Sequence, residues 1–224
     1  MSFKIAILAS GNGTNAQAML DKIAEGLLHV EIVKLISNRP KAKVLERGQK
    51  AGLDTEALDH TCFASRAAYE EALLKSVVNS GAQAVVLAGY MLLLSQTFLT
   101  GFAGPVLNLH PALLPSFPGL HGARDALQAG VRLSGCTVHF VDELMDNGPI
   151  IIQAAVPVLN QDDEESLLNR IHAMEHRIYP QAVEWLAQGR LSLEGRRVKL
   201  TPKAVPCVKP DGPWLVSPDL EEGF

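Results

Sequence analysis

The sequence predicts an α/β fold: a Rossmann-like, open and mostly parallel twisted sheet with helices on both faces and a late antiparallel strand pair. Short apolar runs alternate with longer segments of helical period, which is typical of parallel strands joined by right-handed crossovers. The last two apolar runs, residues 136–141 and 150–158, are joined by the segment 142–149. This segment is too short for a parallel crossover, so the pair is predicted to be antiparallel.

Five runs in the first half of the chain predict strands, and the runs at Phe3–Ala9 and 84–88 predict buried ones. In chain order they are Phe3–Ala9, Val30–Ser37, a weaker run at 55–58, 84–88 and Val106–His110. Four segments with apolar residues at helical spacing predict helices that alternate with these strands. These segments are 15–25, 42–51, 65–80, where Ser65 is a suitable N-cap, and 123–129. The fifth strand leads directly into a proline-rich loop at 111–119.

A long helix is predicted after the antiparallel pair. Asp162 and Glu165 have the spacing of a capping box at its start. Pro180 is expected to kink or restart this helix. A hairpin at 191–200 and a proline-rich tail follow, and we assign no regular structure to the tail. The predicted boundaries are therefore 1–190 for the main domain and 191–224 for the hairpin and tail.

Composition excludes several classes of protein. With 224 residues, 47% of them hydrophobic, and a net charge of -4, the chain can bury a sizeable core and is not disordered as a whole. A pI near 6.0 gives no bulk attraction for nucleic acid. No apolar run reaches the roughly 20 residues of a membrane span. Three cysteines without CxxC spacing, and an N-terminus without a signal peptide, favour a reduced, cytoplasmic protein.

The segment 10–15, SGNGTN, is the first candidate binding site. It joins a predicted strand to a helix, where glycine permits close backbone approach and the first N–H groups of the helix can bind an anion. Its loose GxGxxA pattern raises the possibility of a dinucleotide site. However, the second strand ends in Ser37, Asn38 and Arg39, without the acid that binds the NAD ribose. A phosphate monoester fits better than NAD, and a tight turn without a ligand is the alternative.

Asn108 and His110 are the second candidate. Residues i and i+2 of a strand point to the same face, and this strand ends at the carboxyl edge where open α/β sheets bind ligands. A satisfied structural histidine is the plainer interpretation of His110 alone, and the nearby Asn108 favours a site. Asp146 is the third candidate, because an acid beside His110 would favour the imidazolium and make it a proton donor near neutral pH.

Glu175 is the fourth candidate. Its helical neighbours at i−4 and i+3 are Ile171 and Ile178, so its carboxylate lies on or beside the buried stripe and needs a cationic partner. That partner is either an arginine of the protein or an amine of the ligand, and the sequence leaves both open.

Metal chemistry is the weaker alternative. Four side chains could in principle surround an ion: His110, His121, His139 and Asp146. The spacings of known metal motifs, such as HExxH, are absent, and we predict no metal. The chain also lacks the GxSxG elbow of a serine nucleophile.

Four ordered motifs carry a specific resemblance: SGNGTN at 10–15, NLHPALLPSFPG at 108–119, TVHFV at 137–141 and DNGPI at 146–150. They resemble the phosphoribosylglycinamide formyltransferase family, the folate-dependent enzymes of purine synthesis, over residues 1 to about 190. The resemblance implies that residues 1–190 are a formyltransferase domain. It also implies transfer of a formyl group from 10-formyltetrahydrofolate to the amine of glycinamide ribonucleotide, without a metal, a nucleic acid or a membrane.

The resemblance also implies a role for each matching residue. The catalytic residues of the family match Asn108, His110 and Asp146. Its contacts to the ribonucleotide match Gly13, Thr14, Asn15 and Glu175. Its contacts to folate match Arg66, Met91, Leu92, Leu93, Leu94, Asn108, Asp142, Glu143 and Asp146. In the family the proline of the LLP motif commonly follows a cis bond, which corresponds to Leu114–Pro115 here.

Three positions depart from the family pattern, and three other functions are the alternatives. Ala112 stands where many members have Ser, Leu92 where Arg is common, and Asn147 where Gly is frequent. A formyltetrahydrofolate deformylase shares the same three catalytic residues but carries a further N-terminal domain. A methionyl-tRNA formyltransferase would need a further C-terminal domain and a basic surface. A nucleotide-binding module without catalysis would not need the three residues. The expected assembly is a monomer or a homodimer.

Overall fold

The computed structural model describes residues 2–203, 206–209 and 212–224. The strands are β1 (Phe3–Ala9), β2 (Val30–Ser37), β3 (Thr55–Ala57), β4 (Ala84–Leu87), β5 (Val106–His110), β6 (Leu133–Phe140), β7 (Ile150–Pro157), β8 (Leu191–Glu194), β9 (Arg197–Leu200), β10 (Cys207–Val208), β11 (Leu215–Ser217) and β12 (Leu220–Glu221). The helices are α1 (Thr14–Ala24), α2 (Lys43–Lys50), α3 (Arg66–Asn79), α4 (Gln96–Gly101), α5 (Gly122–Ala129) and α6 (Glu164–Ala187), with a short 3-10 turn at His60–Cys62.

One sheet of eight strands, in the order β11-β7-β6-β5-β4-β1-β2-β3, forms the centre of the fold. Five neighbouring strands of this sheet, β5, β4, β1, β2 and β3, are parallel to one another. Strand β6 runs antiparallel to both of its neighbours, β5 and β7. The predicted α/β class and the late antiparallel pair are therefore confirmed. Two small antiparallel pairs, β8-β9 and β10-β12, lie outside this sheet.

The sheet is covered on both faces because its strands alternate two sets of buried side chains. In β1, Ile5 and Ile7 belong to one apolar cluster, which α1, α2, α5 and α6 complete. Ala6 and Leu8 belong to a second cluster on the opposite face, which α3 and α4 complete. In the described ranges, no helix is both long and apolar enough to cross a membrane.

The starts of two helices show how local sequence fixes an element. Ser65 caps α3 as predicted, accepting a hydrogen bond from the Ala68 N–H. The predicted capping box of α6 is displaced by one residue, because Asp163 and Ser166 form it instead of Asp162 and Glu165. The Asp162 carboxylate instead forms an ion pair with Arg170. The two terminal nitrogens of Arg170 lie 2.7 and 2.9 Å from the carboxylate oxygens of Asp162.

The long helix α6 is a single helix of 24 residues, with Pro180 in its interior. The expectation that Pro180 restarts it is wrong. Buried residues on both sides of the proline, Tyr179 and Ala182 among them, keep this part of the helix packed in the core. Tertiary packing therefore outweighs the helix-breaking tendency of proline here.

Three further elements differ from the predictions. Helix α4 is absent from them; it has six residues, and Ser95 caps it by accepting from the Phe98 N–H. Strand β6 begins earlier than residue 136, since Gly135 allows its backbone to pass close against Ala154 of β7. The tail, for which the sequence predicts no regular structure, contributes β11 to the edge of the main sheet beside β7. Residues 204–205 and 210–211 of that tail lie outside the described residues.

The carboxyl ends of β4 and β5 are tied to α6 by one buried side chain. The hydroxyl oxygen of Tyr179 lies 2.9 Å from the carbonyl oxygen of Leu87 and 3.1 Å from that of Leu107. Because Leu87 is paired with Asn108 in the sheet, this contact fixes the edge at which the candidate site lies.

Candidate active site

The antiparallel pairing of β5 and β6 brings the candidate side chains together. Asn108 is the cross-strand partner of His139, and His110 is the partner of Thr137. Side chains at i and i+2 of each strand share a face, so the four positions line one face of this strand pair. The segment 142–148, which follows β6, then places Asp146 against this face.

His110 is buried and contacts an acceptor at each ring nitrogen. Its Nδ1 lies 3.4 Å from Oδ2 of Asp146, and its Nε2 lies 2.8 Å from the carbonyl oxygen of Phe117. Neither a carboxylate nor a carbonyl oxygen can donate, so each can only accept a proton from the ring. His110 thus lies between two acceptors, and one of them is the acid that the sequence predicts at this place.

Asp146 links three parts of the site. Its Oδ2 also accepts the Gly119 N–H at 2.8 Å, and its Oδ1 accepts from Nδ2 of Asn108 at 3.4 Å. Its backbone has a φ of 51°, in the left-handed region that residues with a Cβ rarely adopt. The structure thus brings the three predicted catalytic residues, Asn108, His110 and Asp146, together around the Asp146 carboxylate.

His139 is a member of this group that the sequence pointed to only for the metal alternative. Its Nδ1 donates to the Phe140 carbonyl oxygen at 2.8 Å, so the neutral ring has a bare Nε2, which lies 3.2 Å from Nδ2 of Asn108. Burial lowers the pKa of His139 and favours this neutral form. The sequence feature that could have identified His139 is its i, i+2 spacing from Thr137, in the strand that pairs with Asn108 and His110.

The glycine-rich loop stands at the start of α1, as predicted. Gly13 is the N-cap residue with a φ of 74°, and a Cβ there would lie 2.4 Å from Cγ2 of Val44. Only glycine fits, since both the conformation and the space exclude a side chain. No side chain in the described part of the chain caps this helix end, so the first N–H groups, beginning with Thr14, face outward as anion donors.

Glu175 is buried on α6 and contacts the same loop. Nδ2 of Asn15 donates to its Oε2 at 2.9 Å, and burial raises the pKa of Glu175. Within the described residues, Glu175 forms no ion pair with arginine or lysine, so the arginine alternative is not seen. Oδ1 of Asn15 is also buried and has no hydrogen-bond partner there. Asn15 and Glu175 therefore present acceptor oxygens that a donor can satisfy.

A cavity of about 240 Å³ lies beside β4 and the segment that follows it. Its wall contains four of the residues for which a folate role is predicted: Arg66, Leu92, Leu93 and Leu94. Further walls, which no sequence motif indicated, come from the aromatic rings of Phe63, Tyr69 and Tyr90. A mostly apolar cavity with a guanidinium at its wall suits a flat aromatic ligand that carries a carboxylate.

Arg66 is oriented by the protein within this cavity. Its Nε donates to Oε1 of the buried Glu70 at 3.0 Å, and its Nη2 donates to the carbonyl oxygen of Leu93 at 2.5 Å. Ser95 also bonds to Glu70. Glu70 is thus a supporting residue that no motif in the sequence identified.

The remaining predicted folate contacts lie in less enclosed places. Met91 is about half exposed and donates its N–H to Oγ of Ser10 at 2.8 Å. Both oxygens of Asp142 are used within its own loop, by the Leu144 N–H and by Nδ2 of Asn147. The side chain of Glu143 is exposed. The peptide bond between Leu114 and Pro115 is cis, as the family resemblance implied.

Two alternatives weighed from the sequence find no support in the geometry. In residues 2–203, 206–209 and 212–224, no group of three or more His, Cys, Asp and Glu side chains is arranged to hold a metal ion. At the end of β2, where an NAD site has an acid, Asn38 is buried and its Oδ1 accepts from Oγ of Ser10 at 2.6 Å. The structure uses this position to join β2 to β1.

Comparison with known proteins gives a consistent result. The profile of the formyl transferase family matches residues 3–183. The chain is 40% identical over 202 residues to the phosphoribosylglycinamide formyltransferase of Escherichia coli (strain K12), covering 90% of this chain and 95% of that protein. It is 44% identical over 205 residues to the trifunctional purine biosynthetic protein adenosine-3 of Drosophila pseudoobscura pseudoobscura, covering 91% of this chain. It spans only 15% of that longer protein.

A solved structure shows the same fold. The crystal structure of glycinamide ribonucleotide transformylase 1 from Symbiobacterium toebii matches with a TM-score of 0.88 and 48% identity, over 90% of this chain and 95% of that chain.

Proposed function

The chain belongs to the formyl transferase family, and on that premise we propose that it transfers a formyl group to the amine of glycinamide ribonucleotide in purine synthesis. Relatives with this name match most of the chain at about 40% identity. The donor in the proposal is 10-formyltetrahydrofolate, used as a co-substrate. The reaction needs no metal and no covalent intermediate with the protein.

The observation that carries the proposal is the cluster of Asn108, His110 and Asp146, in which His110 is buried. It combines an imidazole, an amide donor and a carboxylate that contacts both. These are the groups needed to stabilise a negative oxygen that forms during attack on a formyl carbon.

In the proposed mechanism the neutral substrate amine attacks the formyl carbon, and the carbonyl oxygen becomes negative. The Nε2–H of His110, which donates to Phe117 in this structure, donates to that oxygen when the substrate replaces the Phe117 carbonyl. Nδ2 of Asn108 provides the second donor. Asp146 balances the charge of the imidazolium and holds the ring in place.

Collapse of the tetrahedral species breaks the bond between the formyl carbon and the folate nitrogen. This nitrogen must gain a proton as it leaves, and the amine must lose one. In the proposal His110 delivers the proton, directly or through one water molecule, and is recharged by the proton that the attacking amine releases. Protons and electrons then balance without another reactant.

The ribonucleotide is proposed to bind between α1 and α6. Its phosphate accepts hydrogen bonds from the N–H groups at Gly13, Thr14 and Asn15, at the positive end of α1. Its amine or amide N–H groups donate to the acceptor oxygens of Asn15 and Glu175. The buried and unpartnered Oδ1 of Asn15 supports this arrangement, because a ligand donor would satisfy it.

The folate is proposed to occupy the cavity beside β4. Arg66 would pair with a carboxylate of its tail, and Leu92, Leu93 and Leu94 would contact its rings. Met91, Asp142, Glu143, Asn108 and Asp146 complete the proposed set of contacts. We further propose that residues 1–190 act as the formyltransferase domain, with 191–224 as an appended hairpin and tail. The proposed enzyme works in the cytoplasm as a monomer or homodimer.

The test is an assay with purified protein, glycinamide ribonucleotide and 10-formyltetrahydrofolate, in which each substrate is omitted in turn. Formylated ribonucleotide and tetrahydrofolate should form in equal amounts, and only when both substrates are present. Formate release without the amine substrate would instead identify a deformylase. Binding of both substrates without turnover would identify a binding module.

A further inference from the structure

The segment 142–148, here called the Asp146 loop, holds Asp146 in an unusual conformation. The φ of 51° at Asp146 lies in the left-handed region. A residue with a Cβ remains there only when surrounding contacts hold it. These contacts matter for the site, because the Asp146 carboxylate reaches His110 and Asn108 from this backbone.

The loop is fixed at both of its ends. At the start, Oδ1 of Asp142 accepts the Leu144 N–H at 3.0 Å, and Oδ2 accepts from Nδ2 of Asn147 at 3.2 Å. At the end, Gly148 passes so close to β6 that a Cβ would lie 1.7 Å from the Phe140 carbonyl oxygen. Asp146 stands between these two anchors.

A third contact reaches the loop from outside. Nη2 of Arg196, in the turn between β8 and β9, donates to the carbonyl oxygen of Asn147 at 2.6 Å. A guanidinium donor makes this a charge-assisted hydrogen bond, which is shorter and stronger than a neutral one. It fixes the peptide group one residue after Asp146.

The hairpin that presents Arg196 is itself anchored. Leu191, Val198 and Leu200 are half-buried and pack against the main core. Nε of Arg190, at the base of the hairpin, donates to the Thr201 carbonyl oxygen at 3.0 Å. The backbone that carries Arg196 is therefore held in place, although the Arg196 side chain is exposed.

We propose that Arg196 is a positioning residue for the formyl transfer: its bond to Asn147 keeps Asp146 in the conformation that reaches His110 and Asn108. The inference rests on the proposed function. It also gives the β8-β9 hairpin, which contributes no residue to the site itself, a part in the reaction. The chain offers a matched control in Arg197, which makes no hydrogen bond or ion pair to the Asp146 loop in the described structure.

The experiment compares Arg196→Ala, Arg196→Lys and Arg197→Ala with the unaltered protein. Loss of one charge-assisted bond should lower kcat by roughly 3- to 10-fold in Arg196→Ala. Arg196→Lys retains a cationic donor and should recover most of the activity. Arg197→Ala should match the unaltered protein, and none of the three should change the KM for the ribonucleotide or lower Tm appreciably.

A second arm isolates the action through Asp146. In an Asp146→Asn background, where the carboxylate is already gone, adding Arg196→Ala should lower kcat no further. An equal further loss in that background would show that Arg196 acts elsewhere and would overturn the inference. Equal losses in Arg196→Ala and Arg197→Ala would overturn it as well, because they would indicate a general charge effect.

Failure of the inference differs from failure of the proposed function. If the unaltered protein transfers formyl groups and Arg196→Ala has the same kcat, the inference alone is wrong. If the unaltered protein transfers no formyl group when both substrates are present, the proposed function is wrong, and the inference is wrong with it.

Discussion

Nδ1 of His110 lies 3.4 Å from Oδ2 of Asp146, and both side chains are largely buried. The carboxylate is close enough to stabilise a proton on the ring, and the Phe117 carbonyl takes up the other ring N–H. Burial limits screening by water, so this pairing is stronger than one at the surface. The reactivity of His110 should therefore depend on the charge of Asp146.

Asp146→Asn removes this charge with little change in size. The amide cannot balance a positive charge on the His110 ring during the reaction, so the proposed stabilisation of the negative oxygen should weaken. The kcat should fall by on the order of 10²–10⁴, the usual effect of losing an acid-base or oxyanion group. Steady-state kinetics at saturating concentrations of both substrates measures kcat. Asp125→Asn, on α5, is the control for net charge, and near-normal turnover in Asp146→Asn would remove Asp146 from the mechanism.

His139 should make stability fall under mildly acidic conditions. Burial lowers its pKa from the ordinary value of 6.5. As the pH falls through 6.5, the unfolded chain therefore takes up a proton that the folded protein does not, and folding loses free energy. A tenfold difference in proton affinity between the two states corresponds to about 1.4 kcal/mol.

Urea unfolding of the protein and of His139→Gln between pH 5 and 7 tests this. The glutamine oxygen can still accept from Asn108 but does not titrate, so the variant should lose less stability on acidification. His176, whose pKa burial also lowers, contributes equally to both proteins. His121→Gln, at an exposed position, is the control. Parallel pH profiles for all three proteins would contradict the prediction.

Glu175→Gln should separate substrate binding from folding. Because burial raises the pKa of Glu175 above its ordinary value of 4.5, the folded protein keeps a proton that the unfolded chain releases as the pH rises above 4.5. The free energy of unfolding therefore decreases as the pH rises from 4.5 toward the pKa of Glu175 in the folded protein. Glu175→Gln does not titrate, so its stability should not decrease for this reason.

The variant should therefore be at least as stable as the unaltered protein at pH 7. Its KM for the ribonucleotide should rise about tenfold or more, because the substrate loses a hydrogen bond that involves a charged group. Chemical unfolding and steady-state kinetics measure the two properties. A large drop in stability with an unchanged KM would identify Glu175 as a structural residue.

Gly11 offers a cleaner probe of the phosphate loop than Gly13. A side chain at Gly13 would collide with Val44, whereas a Cβ at Gly11 meets no atom within 4 Å. Gly11→Asp places a negative charge beside the proposed phosphate position, and Gly11→Asn has the same shape without the charge.

The aspartate should raise the KM for the ribonucleotide by about tenfold more than the asparagine does, and added salt should reduce the difference. The KM for the folate should be unchanged in both. Equal effects of the two variants would show that no anion binds at this loop.

Much of the fold could be predicted because its signals are local. The strand β1 is an apolar run between polar residues, and Ser65 stands where a helix N-cap is needed. The i, i+2 spacing of Asn108 and His110 likewise follows from strand geometry alone. The grouping of Asp146 with them is implied by the family resemblance, because the conformation of its loop also depends on contacts with β6 and with Arg196.

The elements that could not be predicted depend on distant contacts. Helix α4 is too short for a periodic signal and is held by the packing of Phe98 and Phe102 against the core. The role of His139 depends on the register between β5 and β6, which no short segment encodes. β11 forms only because β7 offers an open edge, and Pro180 is accommodated because the core around α6 is well packed.

The register of β5 and β6 also limits how this site can change during evolution. Asn108 is opposite His139 and His110 is opposite Thr137, and the side chains of a strand alternate between faces. Inserting or deleting one residue within either strand would turn its contribution to the opposite side of the sheet. Proteins that evolve from this sequence and keep the site can therefore alter the two strands only by exchanging one residue for another.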